Sequence, residues 1–266
     1  MSPTSLPLRR VLLTNDDGID APGLAVLEEI ASAIAEEVWV VAPEHDRSGT
    51  SHSISLHAPL RINEEGERRY AVSGTPGDCV VMAVRYLMAG AEPDLVLSGV
   101  NRGANLGVET VFSGTVGAAM TGLLLGIPSL ALSQTFIDRE DVPWHTARAL
   151  APDILGRLLK NGWNPQSCLN INFPAVPPEK AGPLTVTRQG AGYVRGIDVI
   201  SRVDPRGFTY HWLQFQRDQD DEAPDTEGAM IANACVTVTP LQFERTREIA
   251  FEELKAHLNI NKNVEQ

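Results

Sequence analysis

Short β-branched runs alternate with segments of helical periodicity as far as Pro174, and this alternation restricts the fold more than any single motif does. VLLT (11–14) reads as an apolar strand. Leu24, Leu27, Ile30, Ala31 and Ile34 then recur at helical spacing behind Pro22, whose missing N–H would have no partner in a first turn anyway. VWVVAP (38–43) returns as a strand. Strand, helix and strand fill about 30 residues, the length of one parallel crossover. The rhythm continues with a helix expected over 77–88, a strand over 93–99 and a small-residue helix over 114–126. A strand over 129–134, an amphipathic helix over 143–161 and a strand over 168–174 follow. Such alternation argues for an α/β fold, a mostly parallel sheet with helices on both faces.

After Pro174 the pattern changes. LTVTRQ (184–189) and FTYHWLQFQ (208–216) read as β, separated by turns bearing glycine and proline. RDQDDEAPDTE (217–227) reads as an exposed acidic loop, ACVTVTPLQ (234–242) as a returning strand and 243–258 as a terminal helix. The expected organisation is a core over 1–183, a β-hairpin arm over 184–225 suited to subunit contacts, and a closing strand and helix over 226–266.

Composition excludes several classes of function. No apolar run reaches the ~18 residues of a membrane span. Val11, Leu12 and Leu13 make too short an apolar stretch for a signal peptide, so a cytoplasmic location is expected. Cys79, Cys168 and Cys235 have neither the even count of a disulfide framework nor metal-site spacing. The net charge of −12, with no basic cluster beyond pairs such as Arg9-Arg10, argues against a long nucleic acid as partner. A small phosphorylated molecule fits if a metal ion supplies local positive charge.

In open parallel sheets ligands bind beyond the carboxyl ends of the strands. Four polar segments fall there: TNDDG (14–18), PEHDRSGTSHS (43–53), SGVNRGANLG (98–107) and SGT (113–115). Adjacent carboxylates repel unless a cation or hydrogen bonds hold them, and a turn through Gly18 can aim Asp16 and Asp17 at one point. A divalent ion explains the pair, and a helix cap is the plainer alternative. Ser48 and Asn101 offer further oxygens, a donor set suited to Mg²⁺, Mn²⁺ or Ca²⁺ rather than zinc, although each also fits a simple turn. Ser113, Gly114 and Thr115 open a helix and can offer N–H groups and hydroxyls to a phosphate, or form an ordinary cap. Gly99, Gly103 and Gly107 match neither the dinucleotide nor the Walker spacing. His45, His52 and His57 show no metal-binding spacing; His52 is either a substrate contact or a structural hydrogen bond.

TNDDGIDAPGL, VVAPEHDRSGTSHSISL, VSGTPGDCVVMA, PDLVLSGVNRGANLG, FSGTVGAAMTG and VTVTPLQ together resemble, in order along nearly the whole chain, the survival protein SurE family of 5′/3′-nucleotidases. The resemblance implies a Rossmann-like three-layer core and a cytoplasmic homodimer or homotetramer whose arm and C-terminal segment make the contacts. It also implies a phosphatase acting on nucleoside 5′- and 3′-monophosphates. The family's ligand pattern falls on Asp16, Asp17, Ser48 and Asn101, for one Mg²⁺ or Mn²⁺ per subunit. Asn105, Ser113, Gly114 and Thr115 match positions that surround the phosphate. Departures stand at Gly77, at Glu109-Thr110, at Phe112, where the family has a tyrosine, and at Cys235.

The reaction expected is attack on phosphorus by a metal-activated water, with the general acid unassigned. An aspartyl-phosphate route fits less well, because the pair is adjacent rather than Asp-x-Asp. A non-catalytic nucleotide-binding module and a broader phosphomonoesterase or exopolyphosphatase are the alternatives.

Overall fold

The computed structural model describes residues 7–218 and 223–258. The first strand, β1 (Leu8–Thr14), is wholly buried from Val11 onward, as a strand covered on both faces must be. Its side chains alternate between two cores. Val11 and Leu13 pack with Leu24, Leu27, Ala151 and Leu155, on α1 (Pro22–Ser32) and α4 (Trp144–Asn161). Leu12 packs on the other face with Cys79, Val80 and Ala118, from α2 (Pro76–Met82) and α3 (Gly114–Leu124). The period of two in the strand thus produces a three-layer αβα sandwich.

The remaining strands of the main sheet are β2 (Ala35–Pro43), β3 (Ile62–Gly66), β4 (Arg69–Val72), β5 (Leu95–Arg102), β6 (Ser129–Gln134), β7 (Cys168–Phe173), β8 (Gly182–Val186) and β11 (Cys235–Leu241). Their spatial order is β3-β4-β2-β1-β5-β6-β7-β11-β8. Neighbours from β4 through to β7 run parallel, while β3/β4 and β7/β11 are antiparallel. From β1 the chain steps outward through β2, then returns to β5 on the other side. The switch in direction between β1 and β5 opens a crevice at their carboxyl ends.

Several expectations are revised. The hairpin β3/β4 was not anticipated, because INEEG is too polar to read as a strand; it forms as an edge, where side chains can stay wet. LTVTRQ does not begin the arm. It contributes β8, which pairs in parallel with β11 at the edge of the main sheet. The projecting hairpin is instead β9 (Val194–Val203) with β10 (Thr209–Arg217), a separate two-stranded sheet. The acidic stretch 217–227 lies partly outside the described residues, and its last member is no loop residue: Glu227 is fully buried at the start of α5 (Glu227–Ala232). The closing helix, α6 (Glu248–His257), is shorter than expected and buries none of its residues. Among the described residues no helix is long and apolar enough to cross a membrane.

Candidate active site

Three loops meet over the switch point, and each is held by its own local chemistry. After β1 the Asn15 side chain closes the turn on Gly18, with Nδ2 donating to Gly18 O (2.8 Å) and Oδ1 accepting from Gly18 N (3.2 Å). Gly18 has φ +104°, a region in which side chains are strained. This turn breaks the strand's alternation, so Asp16 and Asp17 face one cleft instead of opposite sides of the sheet. After β2, Arg47 N donates to Asp16 O (2.7 Å), and Asp46 Oδ1 accepts from Ser48 N (2.7 Å). These bonds bring Ser48 beside the carboxylates. At the end of β5 the backbone N–H of Arg102 donates to Asp17 Oδ2 (3.1 Å). Asn101 spends its Nδ2 on Gly103 O (2.9 Å), which leaves Oδ1 as its acceptor.

The cleft has a volume of about 1020 Å³, and Asp16, Asp17, Ser48, Asn101, Asn105 and Ser113 all line it. Gly114 and Thr115 do not; they stand behind Asp16. Asn105 is buried and fixed on all sides. Its Nδ2 donates to Ser133 Oγ (2.9 Å), its N–H to Asn172 Oδ1 (2.9 Å), and its carbonyl accepts from the side-chain amides of Asn170 (2.8 Å) and Asn172 (3.2 Å). Ser113 caps α3, accepting from Val116 N (3.1 Å).

Burial pushes the Asp16 carboxyl up to about 6, against the hydrogen bond from Thr115, with the charges of Asp17 and Asp46 adding to the rise. Burial also raises Asp17, opposed by the N–H and guanidinium of Arg102. Desolvated neighbouring carboxylates that disfavour their own charge are what a divalent cation relieves. Among the described residues no three His, Cys, Asp or Glu side chains gather as a metal cage. The two carboxylates and the neutral oxygens of Ser48 and Asn101 form a hard donor set of the kind that could hold Mg²⁺ or Mn²⁺.

Local patterns in the sequence did not single out the rest of the cleft. Arg102 and Arg139 supply positive charge opposite the carboxylates of Asp16, Asp17 and Asp46. Trp212, Phe215 and Arg217 reach in from β10, and the Phe215 ring lies 5.3 Å from that of Phe112. Arg217 Nε stands 3.5 Å from Glu109 Oε1. Buried Glu227 accepts from Gly107 N (2.7 Å) and Gly190 N (2.9 Å), tying the turn before α3 to the base of the arm. The contacts that reach Gly107, Glu109 and Phe112 cross more than 100 positions of sequence, so no local periodicity announces them. His52 lies off the cleft. The Thr121 hydroxyl gives its proton to Gly117 O (2.9 Å), so His52 Nε2 donates to Thr121 Oγ1 (2.9 Å) in a structural contact.

Comparison with known proteins places this architecture. A family model described as "Survival protein SurE" matches residues 11–195. The "5′-nucleotidase SurE 1" of Burkholderia lata is 58% identical over 249 residues, covering 94% of this chain and 96% of that protein. The "5′-nucleotidase SurE" of Nitrobacter winogradskyi is 49% identical over 253 residues, covering 94% and 99%. The crystal structure of a SurE protein from Aquifex aeolicus superimposes with a TM-score of 0.80 at 34% identity, covering 94% of this chain and 99% of that one.

Proposed function

The chain belongs to the survival protein SurE family, and from that premise we propose that it hydrolyses nucleoside 5′- and 3′-monophosphates to nucleoside and phosphate. The observation that carries this reading is the convergence of two desolvated carboxylates and the oxygens of Ser48 and Asn101 on one cleft at the switch point. One Mg²⁺ or Mn²⁺ per subunit is held by Asp16, Asp17, Ser48 and Asn101. When bound, the ion supplies Lewis acidity toward a phosphate oxygen and toward water.

The chain's own groups supply the rest. Arg102 and Arg139 bring guanidinium groups to the cleft that can pair with a phosphate dianion in a protein of net charge −12. The Asn105 side chain cannot swing away, because Ser133 holds its amide while Asn170 and Asn172 hold its backbone. A fixed donor of this kind stabilises charge on the transferring group without reorganising. Ser113 keeps its own proton while capping α3, so its hydroxyl can donate toward the cleft beside the helix N-terminus. Phe112, Phe215 and Trp212 form the apolar wall suited to a nucleoside.

We place the protein in the cytoplasm as a homodimer or homotetramer, with the β9/β10 hairpin and α6 in subunit contacts. Exposed apolar side chains support that assembly: Ile197, Val199, Trp212 and Leu213 on the arm, and Ile249, Phe251 and Leu254 on α6. Replacing Asp17 by Asn tests the site. Turnover of a nucleoside monophosphate should fall at least about 100-fold while the melting temperature in EDTA does not fall, since the side chain is replaced isosterically and a desolvated charge is removed. Near wild-type turnover in this variant contradicts the assignment.

A further inference from the structure

The resemblance groups Thr115 with the residues around the phosphate, yet Thr115 is fully buried and takes no part in lining the cleft. Its hydroxyl donates instead to Asp16 Oδ1, reaching a residue 99 positions earlier in the chain. A hydroxyl has one proton to give, and this one is committed to the carboxylate. Gly114 makes the approach possible. A Cβ at that position would stand 2.7 Å from Asp16 Cβ and 2.9 Å from Oδ2, so any side chain there would displace the carboxylate. The N-terminus of α3 is thus built against Asp16 through a glycine that admits it and a threonine that holds it.

We infer that Thr115 is a positioning residue for the Asp16 carboxylate and makes no contact with phosphate. Its hydroxyl fixes the side-chain rotation with Oδ1 engaged, which leaves Oδ2 as the oxygen available to a cation. This rests on the reading of Asp16 as a metal ligand. A ligand carboxylate is oriented by the group hydrogen-bonded behind it, and loss of such a partner typically weakens metal binding 10- to 100-fold.

The test is Mn²⁺ binding to the full chain, measured by calorimetry on wild type, Thr115→Val, Thr115→Ser and Asp16→Asn. It is paired with the inhibition constant of inorganic phosphate at saturating Mn²⁺. Thr115→Val should bind Mn²⁺ at least 10-fold more weakly, Thr115→Ser should restore binding to within about 3-fold of wild type, and the phosphate constant should stay within about 2-fold. A Thr115→Val chain with wild-type Mn²⁺ affinity and a 10-fold higher phosphate constant would overturn the inference and make Thr115 a phosphate contact. If Thr115→Val fails to fold, Thr115→Ala, which removes the hydroxyl with no added bulk, carries the same expectations. A wild-type protein that binds no Mn²⁺ overturns the metal reading itself, and the inference with it. Binding retained by Thr115→Val overturns the inference alone.

Discussion

Asp16 is held in a place that disfavours its own charge. Its carboxyl sits at about 6, raised from 3.8 chiefly by burial. Between those values the native chain binds more protons than the unfolded one, so metal-free stability falls as pH rises through this window. The loss above pH 6 is on the order of 3 kcal/mol. Without metal, Asp16→Asn should therefore melt higher than wild type at pH 8, and the difference should shrink as pH falls through 6 toward 3.8, where Asp16 becomes protonated first in the native and then in the unfolded state. Thermal melts in EDTA across that range check it. A variant that melts lower than wild type at pH 8 would contradict the account. The same residue shows what a sequence can and cannot disclose. Paired aspartates after an apolar strand announced a charged site and SGT (113–115) a helix start near it, but that Thr115 donates to Asp16 is set by the fold across 99 positions of sequence.

At the scale of elements, the helices and buried strands were legible because each carries its period in the sequence. β1, β2, β6, β7 and β11 appear close to where their apolar runs begin and end. Elements whose stability comes from elsewhere were not legible. β3 is a polar strand that exists because β4 offers it an edge, and α5 begins with a buried glutamate inside a stretch that reads as acidic loop. Asp78 shows how a local signal can serve a distant end. Its carboxylate completes a capping box with Thr75 at the start of α2 and accepts from the N–H (2.8 Å) and hydroxyl (2.7 Å) of Ser55, fastening the loop that follows Ser48. Asp78→Ala should cost about 2–4 kcal/mol, read by urea unfolding, since it removes a cap and orphans the half-buried donors of Ser55 and Thr75. Glu227→Ala should act differently. It frees the turn at Gly107, so KM for nucleotide should rise severalfold with a smaller change in kcat, in steady-state kinetics.

Across the whole molecule the cleft draws on widely separated parts of the chain: the β1 and β5 termini, the loop after β2, the start of α3 and the strand β10 of the arm. The Rossmann-like core that carries the carboxylates could be read from alternation alone, whereas the wall formed by Trp212 and Phe215 depends on how the arm folds back. In the proposed assembly the exposed apolar side chains of α6 lie at a subunit contact. Leu254→Glu should therefore lower the mass seen by light scattering from a multiple of 28.8 kDa toward that single value. The most direct test of the central claim is phosphate release from a panel of 5′- and 3′-nucleoside monophosphates with Mg²⁺, with Mn²⁺ and with EDTA. The account predicts release that depends on added divalent ion, stops in EDTA and is lost in Asp17→Asn. Release undiminished by EDTA, or nucleotide bound with no release under either ion, would contradict it.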